Sequence, residues 1–231
     1  MKNLFIIGIY SFYIIAFVCC SENKTDIREI VLLPSYSQIK NIISIADCIS
    51  PFGLYTTEVH SSHDGSCYFM QKFSDTEAPF EVKINSDNQG FLINQQNSTL
   101  DTLSLEDVEM IRGHEIHKLS MNPAFFFDEI RHSKSIEFEG SINEIYTGKD
   151  GLRNPVSIYY NKRKKLINKI ELLNPKDTLQ SIEIIYAKWV PSKYGEIAKV
   201  VDIVQAKKDT FSFNFKSINI RDKTGSFFVF E

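Results

Sequence analysis

Two groups of residues in this chain have types and spacings that could do chemistry: adjacent thiols at the end of an apolar leader, and histidines in close pairs. Cys19 and Cys20 close an apolar run, Leu4 to Val18, that starts just after Lys2. The chain then turns polar at Ser21-Glu22-Asn23-Lys24. A short basic start, an apolar segment and a small-residue cut point make an export signal, and a thiol at the cut can be acylated. Cys20 is the better acceptor, since acylation at Cys19 would put β-branched Val18 just before the cut. The run is shorter than the roughly 20 residues that cross a bilayer, so a retained membrane helix fits it less well. A plain cleaved signal remains the other alternative.

His60 pairs with His63, and His114 with His117 around Glu115. Imidazoles and carboxylates ligate zinc, and two close pairs could supply four ligands to a metal-dependent hydrolase. The spacing argues against it. A helical zinc-hydrolase pair stands at i and i+4 with Glu at i+1, whereas His114 and His117 stand at i and i+3. His60 and His63 flank a strand end, where i and i+3 point to opposite faces. These four are expected to be surface and turn histidines, with a metal site as the alternative. No serine sits in a Gly-x-Ser-x-Gly elbow, and the 10 glycines fall at turns without forming a phosphate-cradling loop. Neither a catalytic residue nor a cofactor is indicated.

Two cysteines remain beyond the leader, Cys48 and Cys67. In an oxidising compartment such a pair can bridge, here pinning a helix to a strand; the alternative is two small buried apolar residues. With 26 Lys and Arg against 29 Asp and Glu, scattered through both halves, the chain has no basic stripe for phosphates, which excludes nucleic acid as a partner. The 18 Phe and 10 Tyr lie mostly in alternating runs, the pattern of extensive β-sheet.

These residues need elements to position them. Ser35 and Gln38 read as a capping box for a helix whose apolar face is Ile39, Ile42, Ile43, Ala46 and Ile49, ended by Ser50-Pro51 and Gly53. From Leu54 the period becomes two, in segments at about 54–60, 66–73, 80–85 and 90–94, with turns at Asp64-Gly65 and Asp87 to Gly90. This is an antiparallel meander. Ser104 caps a helical stretch with Leu105, Val108 and Ile111 that meets Gly113 and resumes through Ile116 and Leu119. Asn122-Pro123 starts a further short helix containing Phe125, Phe126, Phe127 and Ile130. Three adjacent phenylalanines cannot share one helix face, so one must reach beyond the local packing surface. Strands return at about 135–146, 156–160, 166–172, 182–190, 197–205 and 209–220. In the last, Phe211, Phe213 and Phe215 alternate with polar residues, and the parity flips to Ile218 and Ile220, which predicts a β-bulge near Ser217 or a strand changing packing surface.

The order of a lipidated signal, one helix ending before Gly53, the Glu58 to Phe73 hairpin, central helices from Ser104 to Ile130, and a long run of strands resembles the lipoprotein carrier and receptor superfamily of diderm bacteria, the LolA and LolB type. Val156-Ser157-Ile158-Tyr159-Tyr160 pairing with Leu166-Ile167-Asn168-Lys169-Ile170, the strand Ile182 to Lys188 and the closing Phe211 to Ile220 complete it. The resemblance implies an α+β fold, a curved antiparallel sheet forming an incomplete barrel of about ten or eleven strands, with an N-terminal helix and a central helical insertion as plug or lid. It also implies a cavity that holds acyl chains. A membrane tether departs from the soluble carriers and brings the chain nearer the receptor type. Residues 1–19 then form a lipoprotein signal peptide, 20–34 a tether and 35–231 a single half-barrel domain, lipid-anchored in the envelope, most readily at the outer membrane.

The functional expectation is a non-catalytic lipoprotein that binds an apolar small molecule or the acyl chains of lipidated cargo, with Phe69, Phe138, Tyr159, Phe211, Phe213 and Phe215 as lining and Phe125, Phe126 and Phe127 as lid. The alternative is a tethered interaction protein with a filled core and an unknown protein partner.

Overall fold

In this computed structural model, residues 36–74, 77–94, 99–138 and 140–230 are described. The leader, Cys19, Cys20 and the tether lie outside them. After a 3-10 turn at Tyr36–Gln38 come β1 (Ile39–Ser50), β2 (Gly53–Ser62), β3 (Cys67–Lys72), β4 (Phe80–Ile84), β5 (Gly90–Asn94) and β6 (Thr99–Thr102). The helical insertion is α1 (Leu105–Arg112), α2 (Ile116–Met121) and a 3-10 turn at Pro123–Phe125. Then follow β7 (Asp128–Phe138), β8 (Ser141–Lys149), β9 (Pro155–Asn161), β10 (Leu166–Asn174), β11 (Asp177–Ser192), β12 (Gly195–Gln205), β13 (Asp209–Asp222) and β14 (Phe227–Phe230).

The 14 strands of the described residues join one antiparallel sheet in the order β6-β5-β4-β3-β2-β1-β13-β12-β11-β10-β9-β8-β7, with β14 added to β13. The first and last long strands meet in the middle, so the sheet's two outer strands are β6 and β7. The insertion is the segment that joins them. A chain linking the two edges of a curved sheet must cross its open side, and this connectivity places α1 and α2 over the concave face. The fold is an α+β incomplete barrel with a helical lid, as expected.

The N-terminal helix is not formed; its residues build β1. Five isoleucines between positions 39 and 49 lose χ1 freedom in a helix and pack well on a pleated sheet. The apparent helical spacing has a specific source. The register of β1 against β13 shifts between Ile39 and Asn41, so the buried positions run Ile39, Ile42, Ser44, Ala46, Cys48. The extra residue turns a two-residue step into three and imitates i, i+3. The strand expected near 135–146 is likewise the β7–β8 hairpin, turned at Gly140 with φ +67. Phe127 and Ile130 leave the helical stretch, Ile130 entering β7. The β13 bulge is present: Ile45 pairs with Ser217 and Ala46 with Phe215, leaving Lys216 as the extra residue.

Cys48 and Cys67 are free and buried, in β1 and β3. Cys67 pairs with Ser61, which pairs with Ile42, six residues short of Cys48 on β1. The thiols are therefore about 20 Å apart along the strands and about 10 Å across them. A disulfide needs Cα atoms within about 7 Å. The possible bridge is not formed: Cys48 and Cys67 are two separate core thiols, each pushed up in pKa by burial, Cys48 to about 12.

Candidate functional site

The lid lies on two apolar clusters. Val108 and Ile111 of α1 pack with Val59, Cys67, Phe69, Val82 and Ile84 of the first meander. Ile116, Leu119 and Met121 of α2 join the main core, with Phe127, Phe213, Phe215 and the inward residues of β9 to β12. Local sequence explains α1: the Ser104 hydroxyl accepts from the Asp107 N–H, and Glu106 and Asp107 occupy the first turn.

Buried charges under the lid tie it to the sheet. Glu115, with none of its side chain exposed, pairs with Arg112 and lies 3.5 Å from Lys118 Nζ. Lys118 donates to the Ser62 carbonyl at 2.9 Å, and Arg112 donates to Asn88 Oδ1 at 3.0 and 3.1 Å. Phe125 closes this cluster, with Lys118 Nζ 3.5 Å from its ring centroid. It is the phenylalanine of the three that stays exposed, at 39%. Burial lowers the Lys118 pKa, and the Glu115 carboxylate opposes that shift.

His117 is the second tie. Its Nε2 faces the Ala198 carbonyl at 2.9 Å and its Nδ1 faces Ser44 Oγ at 2.7 Å. A carbonyl can only accept, so Nε2 carries the proton and Nδ1 accepts from the serine. The ladder between β12 and β13 runs from Gln205 to Val200, and His117 takes the carbonyl just past its end. Burial pushes its pKa down to about 4.

Between α1, the concave face and the ends of β3, β10 and β12 is a cavity of about 140 Å³. Its apolar wall includes Tyr55, Met110, Leu172, Ile184, Ile203, Phe211 and Phe213, and its polar wall is Ser50, Gln71, Glu109, His114 and Gln205. Phe52 of the β1–β2 turn, Phe73 and Pro175 stand at the same end of the strands and frame its mouth. Phe52 is 78% exposed, and Leu179 beyond the β10–β11 turn is 96% exposed. A smaller space of about 20 Å³ lies behind Glu109 and Gly113, next to Phe126 and Phe127.

Of the expected lining, Phe211 and Phe213 reach the cavity. Phe69 is buried under α1 and touches it only through the His114 ring, 4.8 Å away. Phe215 is sealed behind His117, with ring centroids 4.3 Å apart. Tyr159 is corrected to the outer face: the inward residues of β9 are Val156, Ile158 and Tyr160, and Tyr159 donates to Glu171 with Lys169 Nζ over its ring. Phe138 ends β7, and its side chain lies outside the described residues. Phe126 and Phe127 line the smaller space and Phe125 covers Lys118.

The four paired histidines occupy four environments. His60 faces outward beside Glu58, His63 lies by the Tyr36 ring and Lys223, His114 walls the cavity and His117 is core. Among the described residues no three His, Cys, Asp or Glu side chains are placed to hold a metal. The expectation of surface and turn positions is corrected for His114 and His117, both of which are drawn inward by the lid.

Tyr55, Ile184 and Ile203 were legible as lining from strand parity, since each shares its strand's inward face. Phe73 was legible too, on the inward parity of Cys67 and Phe69 in the segment 66–73, but Phe52 and Pro175 were not, because turn residues carry no periodicity.

No family model and no curated protein matches this chain. Solved structures do. A LolA superfamily protein from Nitrosomonas europaea superposes with a TM-score of 0.61 at 10% identity, over 83% of this chain and 90% of its own. A DUF1329 family protein from Desulfovibrio piger superposes with a TM-score of 0.58 at 12% identity, over 86% and 92%. The architecture is LolA-like.

Proposed function

We propose that this protein is a non-catalytic, lipid-anchored envelope lipoprotein that takes the end of an apolar chain, free or carried by lipidated cargo, between its lid and its concave sheet. The observation that supports this is the mostly apolar cavity at the open end of the half-barrel, with exposed apolar residues at its mouth. Its size sets a condition. At about 140 Å³ it matches a space that holds one benzene, about 150 Å³, and falls below the roughly 300 Å³ at which drug-sized sites begin. A long chain enters only if α1 lifts. The lid is lightly fixed at that helix, which rests on the smaller cluster, and firmly fixed at α2, which belongs to the main core.

The direction of the mouth bears on the anchor. The described chain enters β1 at the end opposite the mouth, and 12 residues of strand span roughly 40 Å. In a domain held at Cys20, residues 21–35 would join the sheet at the end of β1 opposite the mouth.

The test is a lipid analysis of mature protein purified without detergent, paired with uptake of a fluorescent acyl probe. Co-purified acyl lipid, and probe uptake reduced at least about tenfold by Met110→Trp, is the expected result. No bound lipid and no uptake would overturn the reading. Labelled palmitate should enter the wild type and Cys19→Ser but not Cys20→Ser.

A second reading is a tethered interaction protein with a filled core. It draws support from the burial of Phe69, Phe127, Phe213 and Phe215 at 7% exposure or less. A stoichiometric protein recovered from membranes, with no lipid bound, is its expected outcome.

A further inference from the structure

We infer that the cavity selects its ligand by the head group, taking aliphatic chains that end in a hydrogen-bond donor and turning away free carboxylates, with Glu109 as the deciding side chain. This rests on the cavity being a ligand site.

The lining carries the argument. Among the described residues that wall the cavity there is no lysine or arginine, and the one charged side chain is Glu109. The nearby cations are already committed: Arg112 to Glu115 and Asn88, and Lys118 to Glu115, the Ser62 carbonyl and the Phe125 ring. A ligand carboxylate entering here meets no counter-ion. Burying an anion without one is strongly unfavourable, and a second carboxylate at the wall adds repulsion.

The second polar group on the lid wall is also an acceptor. His114 Nδ1 stands 3.1 Å from the Met110 carbonyl and so must donate its proton there. That leaves Nε2 as a lone pair, with no hydrogen-bond partner seen for it among the described residues. Burial holds the ring neutral by lowering its pKa. The Gly151 backbone and the Asn88 side chain favour the charged form of Glu109, and they do not occupy all four lone-pair positions of its carboxylate. Glu109 also walls the smaller space behind Gly113, so it stands between the two chambers. The remaining polar groups do not supply a charge. Ser50 donates to the Gly53 carbonyl at 2.9 Å, Gln71 and Gln205 are neutral amides that can donate or accept, and the Tyr55 hydroxyl is neutral beside Cys48. A hydroxyl, an amide N–H or an ammonium would satisfy these acceptors; a carboxylate would add a third.

Burial, and after it the neighbouring Asp150 of the smaller space, raise the Glu109 pKa.

The experiment titrates the mature protein with hexan-1-ol, hexylamine and hexanoate at pH 7.4, followed by chemical-shift changes of cavity methyl groups. Six carbons match the closed cavity. The expected result is that the alcohol and the amine each bind at least about tenfold more tightly than hexanoate. Glu109→Gln should bring amine and carboxylate to within about threefold of each other, while near-UV circular dichroism stays unchanged. Hexanoate binding as tightly as hexylamine in the wild type overturns the inference. So does a Glu109→Gln protein that keeps the wild-type preference. Absence of binding by all three probes overturns the ligand-site reading as well, which separates the two failures.

Discussion

Replacing His117 by Leu should lower stability and remove about 2 kcal/mol of the stability lost between pH 7 and pH 5. The side chain is 2% exposed, donates to the Ala198 carbonyl and accepts from Ser44. Leucine fills similar volume but leaves both partners dry and unpaired, at a cost of about 2–4 kcal/mol for the two together. In a domain of this size that is about 5–15 °C in Tm. The pH effect follows from linkage. The folded-state pKa is about 4 against an ordinary 6.5, so the unfolded chain binds the proton more readily, and stability falls as pH drops through 6.5 toward 4. Between pH 7 and pH 5 the wild type should lose about 2 kcal/mol from this residue. His114, also depressed by burial, adds in the same direction. Urea unfolding of both proteins at pH 7, 6 and 5 measures the two effects together. If His117→Leu retains the wild-type slope, the histidine is not held neutral between β1 and β12, and the account of how the lid is fixed fails.

Further outcomes concern the lid and the thiols. A Cβ on Gly90 would come within 2.5 Å of Val108 Cγ2, so Gly90→Ala should wedge α1 from the sheet and cost about 1–3 kcal/mol, read by denaturant midpoint. The same variant should speed hydrogen exchange in residues 105–112 before it affects α2. Glu115→Gln leaves Arg112 and Lys118 buried without their shared anion, and should destabilise by about 3–5 kcal/mol in the same assay. Cys48 and Cys67 should both be alkylated after unfolding in denaturant without reductant, and a protected pair would refute the β1–β3 separation.

Much of the scaffold was legible. The first meander, α1 with its Ser104 cap, the β9–β10 pairing and the β13 bulge all followed from period, turn residues and parity. β1 was not legible as a strand, because its bulge and its isoleucines on both faces resemble a helical stripe over one turn. Tyr159 is aromatic like the lining residues, but its parity between the inward Ile158 and Tyr160 puts it on the other face.

Local sequence determined where strands turn, where the lid helix starts and which strands carry a dry face, because those depend on residues a few positions apart. Tertiary structure decided the rest. The insertion lies over the concave face because it joins the two outermost strands, β6 and β7, a fact of strand order that no local pattern encodes. His114 and His117 became wall and core for the same reason, and the cavity is framed by residues from positions 50 to 213 that meet only when β1 pairs with β13.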